Sequence, residues 1–301
     1  MKKNYNKSLK SCLSQNKKYI DQELKKVLIN INAPNILKKV MLYAVLNGGK
    51  RIRPFLVSEV SLLYNVKQSV YKFPAVAIEM AHCFSLIYDD LPCMDDDDLR
   101  RGKPSVHIKF DEANALLGGS SLLTYAYNIL ASKNFFINEK KKLALINIFS
   151  NAIGHEGMLA GQFLDLDAEN PNKIPTIKKF NSIQEKKTGL LIAFCCYAGG
   201  MLGNASKKEL KILYDFGLIL GRIFQVTDDI LDIEGDPKLL GKKINKDESH
   251  NKTTLIKIKG IEFAKKELIK LSSEANNKLD LLNKNTDTLS ELIDFLCSRT
   301  R

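Results

Sequence analysis

The chain has 301 residues, of which 45% are hydrophobic and 27% charged, with a net charge of +12. That is the composition of a globular protein long enough for one large core or two ordinary ones. It excludes an integral membrane segment, since no run of 18 uncharged apolar residues occurs, and a zinc site, since the six cysteines show neither C-x-x-C nor zinc spacing.

The lysine-rich start "MKKNYNKSLKSCLSQNKKY" has no apolar stretch of a secretory signal, so a cytoplasmic protein with reduced thiols is expected. The basic excess alone allows nucleic acid, anionic membrane or phosphorylated ligands. No zinc finger, RNA-recognition signature or interleaved aromatic strip accompanies it, so nucleic acid is not expected as a partner. The C-terminal third repeats the lysine, glutamate and leucine patterns of solvated helix faces.

Helical periodicity dominates from end to end. "PAVAIEMAHCFSLIYDD" is apolar on most of its turns, interrupted by Glu79 and His82. "ALINIFSNAIGHEGMLAGQFLDLDAE", "SIQEKKTGLLIAFCCYAGGMLG" and "KKELKILYDFGLILGRIFQVTDDILDI" follow, each apolar over much of its circumference with polar groups at one end. Helices of this kind are buried among other helices. Cys195 and Cys196 fall inside such a run and are expected in the core. The segments "NAP", "NGGKRIRP", "RRGKPS", "NPNKIP" and "EGDPKLLGKK" read as loops or helix ends. No linker divides the chain and strand-like alternation is hard to find, so residues 1–301 are expected to form one all-α domain.

Two acidic sites stand out. In "FQVTDDILD", Asp228 and Asp232 are spaced i, i+4 and share a helix face. Like charges at that spacing destabilise a helix unless a cation sits between them. Oxygen ligands with room for water suit Mg²⁺. In "DDLPCMDDDDLRRG" six aspartates fall within residues 89–98. Asp89 and Asp95 would diverge on a continuous helix, but Pro92, which lacks an N–H and clashes with the preceding turn, argues against continuity. A bulge there could return Asp95 to the side of Asp89. Each motif alone could be a solvated acidic helix end; two of them, each after an apolar helix, suggest a cage for divalent ions.

Basic clusters alternate with the acidic ones. They are Lys50, Arg51 and Arg53 in "GGKRIRP", Arg100 and Arg101 in "DLRRGK", Lys186, Lys187 and Thr188 in "KKTG", and Lys242 in "LGKK". Arginine matches phosphate oxygens in a fork and lysine supplies a point charge. Any one cluster could be ordinary surface charge. Together with the acidic motifs they suit a polyanion held partly through metal, and a diphosphate fits that description.

At this point the chain resembles a known family. "DDLPCMDDDDLRRGKP" and "FQVTDDILD" are similar to the two aspartate-rich motifs of the trans-isoprenyl diphosphate synthases. "GGKRIRP", "GQFLDLDAE" and "KKTG" stand in that family's order. The likeness covers about residues 40–260, and the four-residue spacer of the first motif resembles the bacterial farnesyl branch. The resemblance implies the isoprenoid synthase fold, ten or more helices around a deep central cavity, and a homodimer. It implies head-to-tail (1′–4) condensation of isopentenyl diphosphate with dimethylallyl and then geranyl diphosphate.

The same resemblance implies residue roles. Asp89, Asp95 and Asp228 would ligate three Mg²⁺, with Asp229 and Asp232 assisting through water. Arg100, Lys187 and Lys242 would hold the allylic diphosphate. Lys50, Arg53, His82 and Arg101 would hold isopentenyl diphosphate, which needs no metal. Thr188, the Lys187 carbonyl and Gln225 would place oxygen dipoles near the allylic cation, with Gln162 and Asp165 in the same region. The departing diphosphate would take the proton. Read without the resemblance, His82 is a satisfied histidine on a buried helix. Chain growth would run down the helix that ends at Asp89, with Phe84 as floor and the small Ser85 beside it, favouring the fifteen-carbon product over the ten- and twenty-carbon ones. The other reading of Phe84 is ordinary core packing.

The chain departs from the resembled pattern at Lys186, where histidine is common, and at Ser120, where an aspartate is usual. "NKTTLIKIKG" keeps Lys252 but lacks the usual tyrosine-proline, and the tail "CSRTR" keeps basic groups. A terpene cyclase would lack the second aspartate motif and the "GGKR" element. A silent regulatory subunit would tend to have lost aspartates, and none of the five motif aspartates is missing.

Overall fold

The structure, a computed structural model, describes residues 8–170, 176–234 and 254–299. The helices are α1 (Leu9–Ile29), α2 (Asn35–Leu46), α3 (Ile52–Leu63), α4 (Gln68–Asp89), α5 (Val106–Lys109), α6 (Glu112–Ala131) and α7 (Glu139–Ile153). They continue with α8 (Met158–Ala168), α9 (Ile177–Gln184), a π-helical turn (Glu185–Gly189), α10 (Leu190–Leu202) and α11 (Lys207–Glu234). The last three are α12 (Leu255–Lys259), α13 (Ile261–Asp280) and α14 (Asp287–Ser298). The all-α expectation with more than ten helices holds.

The four apolar runs become the centre of the molecule. α4 packs against α3, α6 and α10, and α10 in turn lies between α3 and α11. Phe194, Cys195 and Cys196 on α10 have no exposed surface, and all six cysteines are free thiols. Burying a side chain the size of leucine or phenylalanine contributes about 1.5–3 kcal/mol, so these central helices anchor everything attached to them. α4 is long and apolar enough to span a bilayer by length and composition, yet it carries Lys72 and Glu79 and 67% of its apolar window is buried. It is a core helix packed on three others.

The charged interruptions within the core are neutralised. Arg51 and Glu79 are each 2% exposed. Arg51 Nη1 donates to Glu79 Oε1 at 2.6 Å and its Nε to Asp21 Oδ1 at 2.7 Å. Arg51 therefore fastens α1, α3 and α4 together and is not presented to a ligand. A buried charge of this kind is tolerated only when paired.

Two local features went unread in the sequence. Leu99–Arg100 pairs antiparallel with Lys103–Pro104, a two-residue hairpin. Its turn has Arg101 at φ 56 and Gly102 at φ 75, the positive-φ pair that matches strand twist in a two-residue loop. Strands this short leave no periodicity to detect. The second is the π turn, in which the Leu190 amide reaches back to the Glu185 carbonyl. Such single turns are rare and concentrate at functional sites.

Candidate active site

α4 ends where its helical backbone meets Pro92, and the chain then folds back on itself. The Asp95 amide donates to the Asp89 carbonyl at 2.9 Å and the Asp97 amide to the Asp90 carbonyl at 3.1 Å. The expected bulge is present, and it returns Asp95 to the end of α4 beside Asp89. Asp90 turns the other way. It is 2% exposed and accepts from Arg100, whose Nε lies 2.8 Å from Asp90 Oδ1. Arg100 also reaches Asp97 at 3.4 Å. Asp96 and Asp98 are exposed, as expected of solvated members of the run.

The hairpin sends its two arginines apart. Arg100 returns to Asp90, whereas Arg101 Nη1 donates to the Gly48 carbonyl at 2.6 Å. The guanidinium of Arg101 lies over Gly49, where an added Cβ would come within 2.7 Å of it. Gly48 and Gly49 also hold φ of 96° and 104°. The positive φ at both positions is what calls for glycine there. Arg53, one turn into α3, meets His82 on α4, with Arg53 Nη1 3.3 Å from His82 Nε2. Burial, then Arg53 and the other arginines nearby, holds the His82 pKa well below the ordinary imidazole value, so the ring is neutral. Lys50 lies over the Phe295 ring of α14 at 5.1 Å.

The opposite wall comes from α8, the π turn and α11. Gly161 on α8 packs directly on the backbone of Lys187, where a Cβ would meet its amide nitrogen at 2.1 Å. Lys187 Nζ donates to Asp165 Oδ2 at 2.6 Å. Gly221 on α11 likewise faces bare backbone at Gly189, where an added Cβ would lie 2.6 Å from the Gly189 Cα. These bare contacts let three helical segments converge behind Thr188. Arg53, His82, Phe84, Ser85, Asp89, Gln162, Lys187 and Thr188 line one cavity of about 190 Å³. Larger hollows lie between α1 and α2 and beside α3, away from both aspartate motifs.

The second motif is held by distant partners. Asp228 is half-exposed and accepts from Arg299 Nη2 at 2.7 Å. Arg299 also donates to the Phe224 carbonyl and stacks over the Phe224 ring at 4.3 Å. The basic tail therefore does reach the site. Asp229 is buried between Gln225, whose Nε2 donates at 3.0 Å, and the Leu255 amide at 2.9 Å. It ties α11 to α12, whose first turn is capped by Thr254 accepting from the Lys257 amide at 3.2 Å. Asp232 is buried as well, so it does not share the exposure of Asp228 one turn earlier. Lys242 and Lys252 lie outside the described residues.

Burial pushes the Asp89 pKa up to about 6; Lys187 and Arg100 pull it down, and Asp95 and Asp90 add to the rise. Among the described residues no three acidic, histidine or cysteine side chains converge as a ready-made ligand set. Mg²⁺ takes one or two carboxylates and completes its shell with water and substrate phosphate, and Asp89 and Asp95 offer carboxylates of that kind. Sequence reasoning missed Asp90 as the partner of Arg100 and Arg299 as the partner of Asp228. Asp90 carried a faint signal, since adjacent helical residues lie about 100° apart and need not share the face of Asp89.

An all-α bundle whose central apolar helix delivers Asp89 to this cavity, beside Lys187 and Thr188, is that of a prenyltransferase of the isoprenoid synthase fold. The sequence profile described as Polyprenyl synthetase matches residues 34–290, and the chain belongs to that family. A farnesyl diphosphate synthase of Bacillus subtilis (strain 168) is 39% identical over 292 residues, 97% of this chain and 98% of that one. A geranyltransferase from Legionella pneumophila matches with a TM-score of 0.87 at 32% identity, covering 97% of each chain. A geranyltransferase from Helicobacter pylori, solved in complex with magnesium and isoprenyl diphosphate, matches with a TM-score of 0.78 at 33% identity over 95% of this chain and 96% of that one.

Proposed function

We propose that this chain is a farnesyl diphosphate synthase, joining isopentenyl diphosphate head to tail first to dimethylallyl and then to geranyl diphosphate. The observation that carries the reading is the mixed lining of one cavity: the carboxylate of Asp89, the basic groups of Arg53 and Lys187, neutral His82 and the Thr188 hydroxyl all face it, beside the apolar side chains of Phe84 and Leu86. Two diphosphates need separate basic groups, because like charges must be held apart while the carbon chains meet.

Asp89, Asp95 and Asp228 are proposed to hold three Mg²⁺, with Asp232 and Asp229 contributing from behind. When bound, the metal would supply charge neutralisation for the leaving diphosphate. Arg100, Lys187 and Lys242 are proposed to grip the allylic diphosphate, Arg100 while still held by Asp90 and Lys187 after leaving its present partner Asp165. Thr188 and Gln225 would turn oxygen dipoles toward the developing cation, a stabilisation that needs no reorganisation once the groups are fixed. Lys50, Arg53, Arg101 and neutral His82 would orient isopentenyl diphosphate. Phe84, buried on α4, and Ser85 beside it would limit the product to fifteen carbons.

We also propose a homodimer, supported by exposed apolar side chains on consecutive helices: Leu117 on α6, Leu143 on α7 and Phe163 on α8. A cytoplasmic location suits the free thiols. The function is tested by incubating the protein with Mg²⁺, isopentenyl diphosphate and each allylic diphosphate and separating the products. Farnesyl diphosphate is expected, and the absence of any condensation product would overturn the reading.

A further inference from the structure

Ser120 leaves a charge missing from the resembled pattern, and the structure gives its hydroxyl a partner. Ser120 Oγ and the Tyr88 hydroxyl share a hydrogen bond at 2.7 Å, with the Leu116 carbonyl 3.5 Å from the same hydroxyl. Tyr88 and Phe84 are spaced i, i+4 and lie on one face of α4. Their ring centroids are 4.6 Å apart at an interplanar angle of 55°. Both line the cavity that also contains Asp89. The Tyr88 ring rests on bare backbone at Gly119, where an added Cβ would lie 2.8 Å from Cε2.

We propose that product length is gauged by a relay in which Ser120 anchors Tyr88 and Tyr88 holds the Phe84 ring in place. The inference rests on the synthase reading above. A phenylalanine at the end of a growing chain is a stop only while it cannot turn to another staggered rotamer. Phe84 has one flank against Tyr88, so displacing the Tyr88 ring opens the space into which Phe84 could move. Tyr88 has its own freedom removed at the far end by Ser120, and Gly119 gives the ring a seat. Tyr88 and Ser120 are positioning residues, acting on the growing chain through Phe84.

The test is the ratio of twenty- to fifteen-carbon products made from isopentenyl and geranyl diphosphates. Phe84→Ala and Tyr88→Ala should each raise it about tenfold or more, in the range that small apolar volume changes give in binding pockets. Tyr88→Phe and Ser120→Ala should each raise it about fivefold, the factor that corresponds to one lost hydrogen bond of ordinary strength. The double variant Tyr88→Phe/Ser120→Ala should equal either single one, because both remove the same bond. These two substitutions leave the ring and the helix in place, so they decide the matter even where Tyr88→Ala does not fold. Unchanged ratios in Tyr88→Phe and Ser120→Ala, or effects that multiply in the double variant, would overturn the relay while the synthase reading stood. Wild-type protein that forms no condensation product would overturn both.

Discussion

The two aspartate motifs are held in place by different means. The first is organised by its own chain: the Asp95 amide bonds to the Asp89 carbonyl, and Arg100 is secured by Asp90 ten residues before it. The second depends on distant segments, with Arg299 on Asp228 and the Leu255 amide on Asp229. A locally closed loop can be in its working shape before any ligand arrives. A site whose carboxylate is already paired with an arginine must exchange that partner before it takes a metal. The difference assigns preorganisation to the first motif and exchange to the second.

The largest expected effects come from removing either motif's leading carboxylate. Asp89→Ala and Asp228→Ala should each lower kcat about 10²–10³-fold, the scale of losing one strong electrostatic stabiliser. Steady-state rates with saturating substrates check this, and a variant retaining full rate would remove its motif from the site.

Asp90→Ala sharpens the contrast without touching a proposed metal ligand. It leaves Arg100 without its buried partner and should destabilise the fold by about 2 kcal/mol, less than for a fully buried pair because Arg100 is partly exposed. It should also raise KM for the allylic diphosphate. Urea unfolding and initial rates measure both. A change in neither would mean that the first motif is not organised by this pair.

Arg299→Gln addresses the exchange directly. Freed of its arginine, half-exposed Asp228 should bind Mn²⁺, used as a reporter for Mg²⁺, about fivefold more tightly in a magnetic-resonance titration. Weaker binding would show that Arg299 supports the metal site.

The smallest effect is on stability. With its pKa raised to about 6, folded Asp89 holds a proton more tightly than the unfolded chain does. The folded state therefore loses stability as pH rises from about 4 to 6, and the penalty is fully present above that range. Asp89→Asn should raise the stability of the metal-free protein at pH 7 by on the order of 1 kcal/mol while lowering kcat no more than Asp89→Ala does. A lowered melting temperature would contradict a carboxylate destabilised by its burial at the end of α4.

The same contrast explains what was legible in the sequence. The long helices were, because α4, α10 and α11 are apolar over most of their circumference and only burial among other helices suits them. The first motif was too, since Pro92 forces a break and the break determines where Asp95 goes. Arg51 was not separable from Arg53 by residue type. Its burial against Glu79 depends on how α3 crosses α4, and nothing within "GGKRIRP" encodes that. Asp228 with Arg299 is 71 residues apart, and Tyr88 with Ser120 joins two helices. Contacts of that kind have no periodicity. The π turn at Lys187 is likewise set by the packing of Gly161 and Gly221 around it rather than by its own sequence.

The most direct test is an experimental structure with Mg²⁺ and an unreactive allylic diphosphate analogue. The account predicts that the Asp95 to Asp89 backbone bond persists, that Arg299 has left Asp228, and that Asp228 contacts metal. A complex in which Arg299 still holds Asp228, or in which the loop after Asp89 has unfolded and rebuilt, would contradict it.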